Sequence, residues 1–344
     1  MSEYGKWRAT ELPRHISSGW AIYKRHKEVE YRDSAEVTEK IHGWLPQNPI
    51  LVGMPGSESF THPISVSQFS RMVCRSIARN TTLIACAWGM GVIVFFVFGA
   101  IYSNVSSTAM GLLCLLMALV TVADYQKYLR FEKWITERAL FFYWFYTSQV
   151  VRNGFLIWLA VGTLIGGSQL LAQHVAGGMD GAFYAYGMMY EKVRAGEWWR
   201  LLSGPYLHYS IAHYSVNLAM LLLGGSLAWG LMGSSSMSVF MLGNTFGVFA
   251  QMTWGGTLYD NCGGISAGVC ALFAYVISSG MVNRELLPKG IVLQLGAILF
   301  MGGAFSELVS ISAATTGHVA GTVMGLVCGL LNISWVQRRN VVTP

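Results

Sequence analysis

From about residue 83 onward, apolar residues stop alternating with polar ones and gather into long runs. The runs lie at about 83–102, 107–123, 153–173, 205–230, 236–252, 264–280, 289–309 and 315–335. Each is of the order of the roughly 20 residues that a helix needs to cross hydrocarbon. Residues 1–80 differ, being polar and mixed in charge. They predict a small soluble extension, with a helical pattern from about Gly19 to Trp44. A Pro/Gly-rich stretch from Pro46 to Pro63 then reads as a linker.

The charges between the runs orient them. A short uncharged turn, Tyr102 to Ser106, joins the first two runs as a helical hairpin (81–124). The amphipathic connector at 125–152 carries Lys127, Arg130, Lys133, Arg138 and Arg152, which places it in the cytoplasm by the positive-inside rule. Arg284 with Lys289, and Arg338 with Arg339, then fall on the same side, and the even number of runs puts both termini there. The loop from Ala176 to Arg200 falls outside. It is long, aromatic and ends Trp198-Trp199-Arg200, which suggests a structured element at the membrane interface. The expected fold class is an all-α polytopic membrane protein. A six-helix core at 153–337 follows the two-helix hairpin and the cytoplasmic extension.

Composition agrees with this picture. Apolar residues make up 53% of the 344 and charged residues 12%, against about a quarter charged in soluble domains; the mean hydropathy is +0.44. The net charge of +6 flanks apolar runs instead of forming a stripe, which argues against nucleic acid. The six cysteines (74, 86, 114, 262, 270, 328) lack CxxC or Cys/His spacing and fall mostly within apolar runs. They read as packing residues, with no metal or cofactor expected. The polar, partly acidic first 40 residues fit neither a cleavable signal peptide nor a mitochondrial transit peptide.

Polar residues inside a bilayer are costly, so each raises a functional question. In the fourth run, His213 and Asn217 are four apart and share one helical face. Interhelical hydrogen bonding, worth under about 2 kcal/mol, is the plainer account of that pair taken alone. The sixth run opens Gly263-Gly264-Ile265-Ser266-Ala267-Gly268. A mid-helix serine usually bonds back to the preceding turn. At a helix start behind a glycine loop, it instead has free backbone N–H groups beside it. At 1.5 Å per residue the run rises about 26 Å, short of the roughly 30 Å of hydrocarbon, so Ser266 can sit at the floor of a water-filled cavity. The eighth run holds His318 with Gly321 and Gly325, a GxxxG pair that lets another helix approach closely.

Taken together, Trp199-Arg200 in the first external loop, His213-xxx-Asn217, Gly264-x-Ser266 and His318-xx-Gly321-xxx-Gly325 resemble the rhomboid family in order, helix and side of the membrane. The resemblance covers about residues 150–336. It implies an intramembrane serine protease with a Ser266–His318 dyad, no acidic third member and an acyl-enzyme intermediate. His213, Asn217 and the Ser266 backbone N–H would hold the oxyanion. Trp199 and Arg200 would fix the external loop, and the run at about 289–309 with the loop after it would gate the site. The implied substrates are transmembrane proteins, single-pass, cut near the outer membrane face; the lack of targeting signals fits a bacterial cytoplasmic membrane.

Two positions depart from the family pattern. Ala267 stands where glycine usually follows the serine, and Cys270 stands where an aromatic residue usually stacks under the histidine. A rhomboid-like binder of transmembrane clients that cuts nothing is the alternative, although such relatives typically lose the serine or histidine, or place proline just before the serine position. A transporter would predict an internal repeat, and none is visible. There is no HExxH for zinc. Tyr259-Asp260 lacks the Gly-x-Gly-Asp partner of aspartyl intramembrane proteases, so Asp260 reads as a loop residue.

Overall fold

The computed structural model describes residues 6–102, 105–130, 132–255, 260–299 and 315–342. They divide into two units, Met1–Thr147 with Leu287–Ile291, and Ser148–Leu286 with Val292–Pro344.

The first unit begins with a small α/β module. Strands β1 (Trp20–Lys24) and β2 (Lys27–Tyr31) form a hairpin through Arg25 and His26, both at positive φ. A two-residue hairpin turn of this hand requires that conformation. Strand β3 (Leu51–Gly53) pairs antiparallel with the other edge of β1, giving the order β2-β1-β3. Helix α1 (Ser34–Lys40) lies between β2 and β3 in sequence. The Asp33 carboxylate caps it, accepting the N–H groups of Ala35 and Glu36, while Glu36 reaches back to the N–H of Arg32. That reciprocal arrangement satisfies orphan donors of the first turn.

The helical pattern expected from Gly19 to Trp44 is therefore corrected. Trp20–Lys24 and Lys27–Tyr31 are too short and too rich in aromatic and β-branched residues to hold helix against the turn between them. The Pro46–Pro63 linker is corrected as well: Leu51, Val52 and Phe60 within it are fully buried.

Three longer helices follow: α2 (Ser67–Tyr102), α3 (Val105–Arg130) and α4 (Glu132–Thr147). Helix α2 runs unbroken through residue 80, so the boundary expected there falls inside a helix. Gly91 of α2 receives the Cys114 side chain of α3, and Gly111 of α3 receives Phe96, as in an antiparallel hairpin. The connector does more than link: Ile135 and Ala139 of α4 join the module core of Ile22, Val37, Trp44 and Val52.

In the second unit, α5 (Gln149–Ala176) leads into a long loop built of α6 (Met179–Tyr186), β4 (Met188–Met189), α7 (Tyr190–Arg194) and α8 (Arg200–Ser203). Then come α9 (Ile211–Met232), α10 (Ser235–Trp254), β5 (Asn261–Cys262), α11 (Ser266–Val282), α12 (described over 291–299) and α13 (Thr315–Val342). The fourth run begins later as helix than its apolar residues suggest. Ser210 is the N-cap of α9, accepting the His213 N–H, so Leu207, His208 and Tyr209 precede the helix. Among the described residues, three helices are long and apolar enough to cross a membrane: Ser67–Ile101, Gln149–Ala176 and Ile211–Met232. Much of the expected gate, from residue 300 to 314, lies outside the described residues.

Candidate active site

Ser266 is the first residue of α11, and Gly264 two residues earlier has φ +105, a conformation that suits glycine. This kink delivers the chain into the first turn of the helix. The Gly268 N–H is taken by Asn244 Oδ1 of α10 at 3.2 Å. The Ser266 and Ala267 amides have no partner among the described residues.

Helix α13 brings its histidine to this helix start. His318 Nε2 lies 2.8 Å from Ser266 Oγ, while His318 Nδ1 is buried without a partner among the described residues. The approach depends on glycine. A methyl built on Gly321 would overlap the Ala267 carbonyl, and one on Gly325 the Ala271 carbonyl. The two helices thus touch backbone to backbone along a small-residue face. Gln251 of α10 accepts the Gly317 N–H at 3.0 Å, fixing the chain one residue before His318.

On the other side of the serine loop, α9 presents His213 and Asn217. A Cβ at Gly264 would lie 2.6 Å from His213 Cε1 and 3.4 Å from Asn217 Nδ2, so both side chains close over that glycine. Asn217 is only 6% exposed, yet its Nδ2 has no partner among the described residues. A buried amide donor left free costs about 1–3 kcal/mol. It is what a site for a transient negative charge needs. The structure thus brings Ser266, His318, His213, Asn217, Gly264, Gly321 and Gly325 together.

Trp199 and Arg200 lie apart from this cluster, in the loop between α5 and α9. Arg200 is 2% exposed, donates to Glu197 at 2.8 Å and to the Gly187 carbonyl at 2.7 Å, and packs its guanidinium on the Trp199 ring. Strand β4 of that loop pairs with β5, Met188 opposite Cys262 and Met189 opposite Asn261. The Tyr190 N–H also donates to the Asp260 carbonyl. The loop that Arg200 holds is therefore hydrogen-bonded to the segment leading into Ser266.

The two departures from the family pattern have distinct settings. The Ala267 methyl meets Gly247 of α10, where any larger residue would overlap it. Cys270 is buried and engages the Thr322 hydroxyl, which donates to the His318 carbonyl at 2.8 Å.

Sequence reasoning gave no role to His208, Asn244 and Gln251. His208 is fully buried, accepts the Ile265 N–H at 3.5 Å and exchanges two 2.9 Å backbone hydrogen bonds with the Gln169 amide. Asn244 and Gln251 stand seven apart on α10, two turns along one face of an apolar helix, and that spacing was the signal for them. No cluster of three His, Cys, Asp or Glu residues is placed to hold a metal ion among the described residues.

Residues 195–335 match the family model described as Rhomboid domain. The chain is 33% identical over 132 residues to Rhomboid protease GlpG of Serratia proteamaculans (strain 568), covering 37% of this chain and 46% of that protein. It is 32% identical over 151 residues to Rhomboid protease GlpG of Yersinia pestis (strain Pestoides F), covering 42% and 50%. The match spans about half the length of these relatives. Its N-terminal module, hairpin and connector, up to Thr147, precede the matched domain. These matches identify a rhomboid domain in the chain, at residues 195–335.

Proposed function

We infer that this protein is an intramembrane serine endopeptidase that hydrolyses a peptide bond in or near the transmembrane segment of membrane-protein substrates. The observation that carries this reading is the 2.8 Å contact between Ser266 Oγ and His318 Nε2, at a helix start whose Ser266 and Ala267 amides have no partner among the described residues.

For Nε2 to accept the serine proton, the neutral imidazole carries its own proton on Nδ1. Ser266 Oγ attacks the substrate carbonyl carbon as His318 Nε2 takes the hydroxyl proton. The carbonyl π pair moves onto oxygen. The Ser266 N–H, Asn217 Nδ2 and a ring N–H of His213 stabilise that oxyanion. On collapse, the C–N bond breaks and His318 protonates the leaving amine, leaving an acyl ester on Ser266. Water then gives a proton to His318 and attacks the ester. The acid departs, and the proton returns to Ser266. The catalytic unit is a dyad, as the family resemblance implies. Cys270 and Thr322 support the histidine helix in place of a stacked aromatic ring.

The site faces the outer side of the membrane, with both termini in the cytoplasm, eight helices crossing and the core at 153–337. Trp199 and Arg200 hold the external loop, and the helix at about 289–309 gates entry. Single-pass proteins are the substrates, and a bacterial cytoplasmic membrane is the setting.

Cleavage of a transmembrane reporter by the reconstituted full-length protein tests the reading, comparing wild type with Ser266→Ala and His318→Ala. Wild type is expected to cut and both variants to be silent. Equal cutting by all three would make Ser266 and His318 packing residues, and silence of a folded wild type would leave only client binding.

A further inference from the structure

Helix α2 is 36 residues long, about 54 Å at 1.5 Å per residue, against about 30 Å of hydrocarbon. About 24 Å of it must therefore project beyond the apolar core. The projecting end carries Arg71, Arg75 and Arg79, spaced one turn apart on one face. The sequence holds no Asp or Glu from residue 59 to 123. None of the three has an ion-pair partner among the described residues. Glu132 approaches Cys74, which stands about 60° round the helix from Arg71, about 100° from Arg75 and about 140° from Arg79.

This arginine face is the wall of a cavity of about 470 Å³, closed on the other side by His42 and Leu45 of the α/β module and lined along α2 by Gln68 and Asn80. Leu83, 60% exposed, forms its membrane end. Four residues separate Arg79 from Leu83, a rise of about 6 Å. The headgroup layer is about 5–7 Å deep on each side of the hydrocarbon, so Arg79 sits at phosphate depth and Arg75 one turn beyond it. A separate hollow of about 280 Å³ lies on another face of α2, between Thr81, Thr82, Ala85 and Cys86 and Val122 of α3.

We propose that this cavity binds the phosphate headgroup of an anionic phospholipid, with an acyl chain lying along the exposed Leu83 and Met90 of α2. Guanidinium groups grip phosphate oxygens two at a time, while Gln68 and Asn80 offer neutral donors to the rest of the headgroup. A basic pocket at the water-facing ends of membrane helices is the usual form of such sites. The shared chemistry is a phosphate ester, which a soluble phosphate could also supply. The apolar continuation at Leu83 and the depth of Arg79 favour the lipid. The site lies wholly in the first unit and does not depend on the serine chemistry.

The test uses the full-length protein in phosphatidylcholine nanodiscs doped with phosphatidylglycerol, with co-purifying lipid measured by mass spectrometry after detergent exchange. Wild type and an Arg25→Gln control are expected to retain phosphatidylglycerol several-fold above its input share, and Arg75→Gln/Arg79→Gln to retain it at input. The wild-type enrichment should also collapse at high salt, a result that needs no variant to fold. Equal enrichment in the double variant, or enrichment indifferent to salt, overturns the proposal. So does the soluble-phosphate outcome, in which inorganic phosphate alone stabilises the wild type in undoped discs and no phosphatidylglycerol is enriched.

Discussion

Ala267 and Gly247 are matched across the α10–α11 interface: the methyl of one fills the space that the missing side chain of the other leaves. The residue after the serine thus packs its side chain on α10 and its backbone on α13.

Gly247→Ala should destabilise the protein by about 1–3 kcal/mol, the usual cost of overpacking. The new methyl would overlap Ala267 and come within 2.9 Å of the Gly317 carbonyl. Adding Ala267→Gly should restore part of the loss, because only the second clash persists. Thermal unfolding in detergent reads both, and a double variant no better than Gly247→Ala would refute the pairing.

Gly321→Ala and Gly325→Ala push α13 away from the Ala267 and Ala271 carbonyls. Each should lower reporter cleavage at least 100-fold, since a misplacement of about 1 Å costs about that much. Gly167→Ala in α5, where a methyl meets nothing within 4 Å, should leave cleavage unchanged. Initial rates in liposomes make the comparison.

Asn217→Leu and His213→Ala should each lower kcat by about 10²–10³ with little change in KM, the signature of donors used only in the transition state. Asn217→Leu should leave stability unchanged or raise it, because the Nδ2 it removes has no partner among the described residues. Parallel kinetics and unfolding separate these effects.

The α/β module carries its own pH dependence. His62 is 3% exposed, both ring nitrogens lack a partner among the described residues, and burial lowers its pKa from 6.5 to about 4. Above pH 6.5 both folded and unfolded states are neutral and the module is fully stable. Between 6.5 and 4 only the unfolded state gains the proton, so stability falls with pH, by about 3 kcal/mol once both states are protonated. Hydrogen exchange at β1 and β3, corrected for intrinsic rates, should show this loss in wild type. His62→Phe should flatten it.

The candidate site was legible because its signals are local and chemical. A glycine loop opens onto Ser266, a GxxxG face follows His318, and His213 and Asn217 share a helical turn. Each reports on a single helix, and membrane helices keep their periodicity. The module was not legible for the opposite reason. Trp20–Lys24 and Lys27–Tyr31 are short enough for their apolar residues to fit a helical period, and what decides between helix and strand is pairing with Leu51–Gly53, about 30 residues on. His208, Gln251 and Asn244 fall between these cases. Their polarity was visible, but what each touches is set by a different segment.

The serine and its histidine are 52 positions apart in the chain, and the glycine face that joins them belongs to the later helix. On the proposed mechanism, a nascent chain inserted as far as residue 314 holds a folded nucleophile without a base. Its hydrolytic power arrives only when α13 enters and docks, so the order of synthesis itself keeps the growing protein from cutting its neighbours.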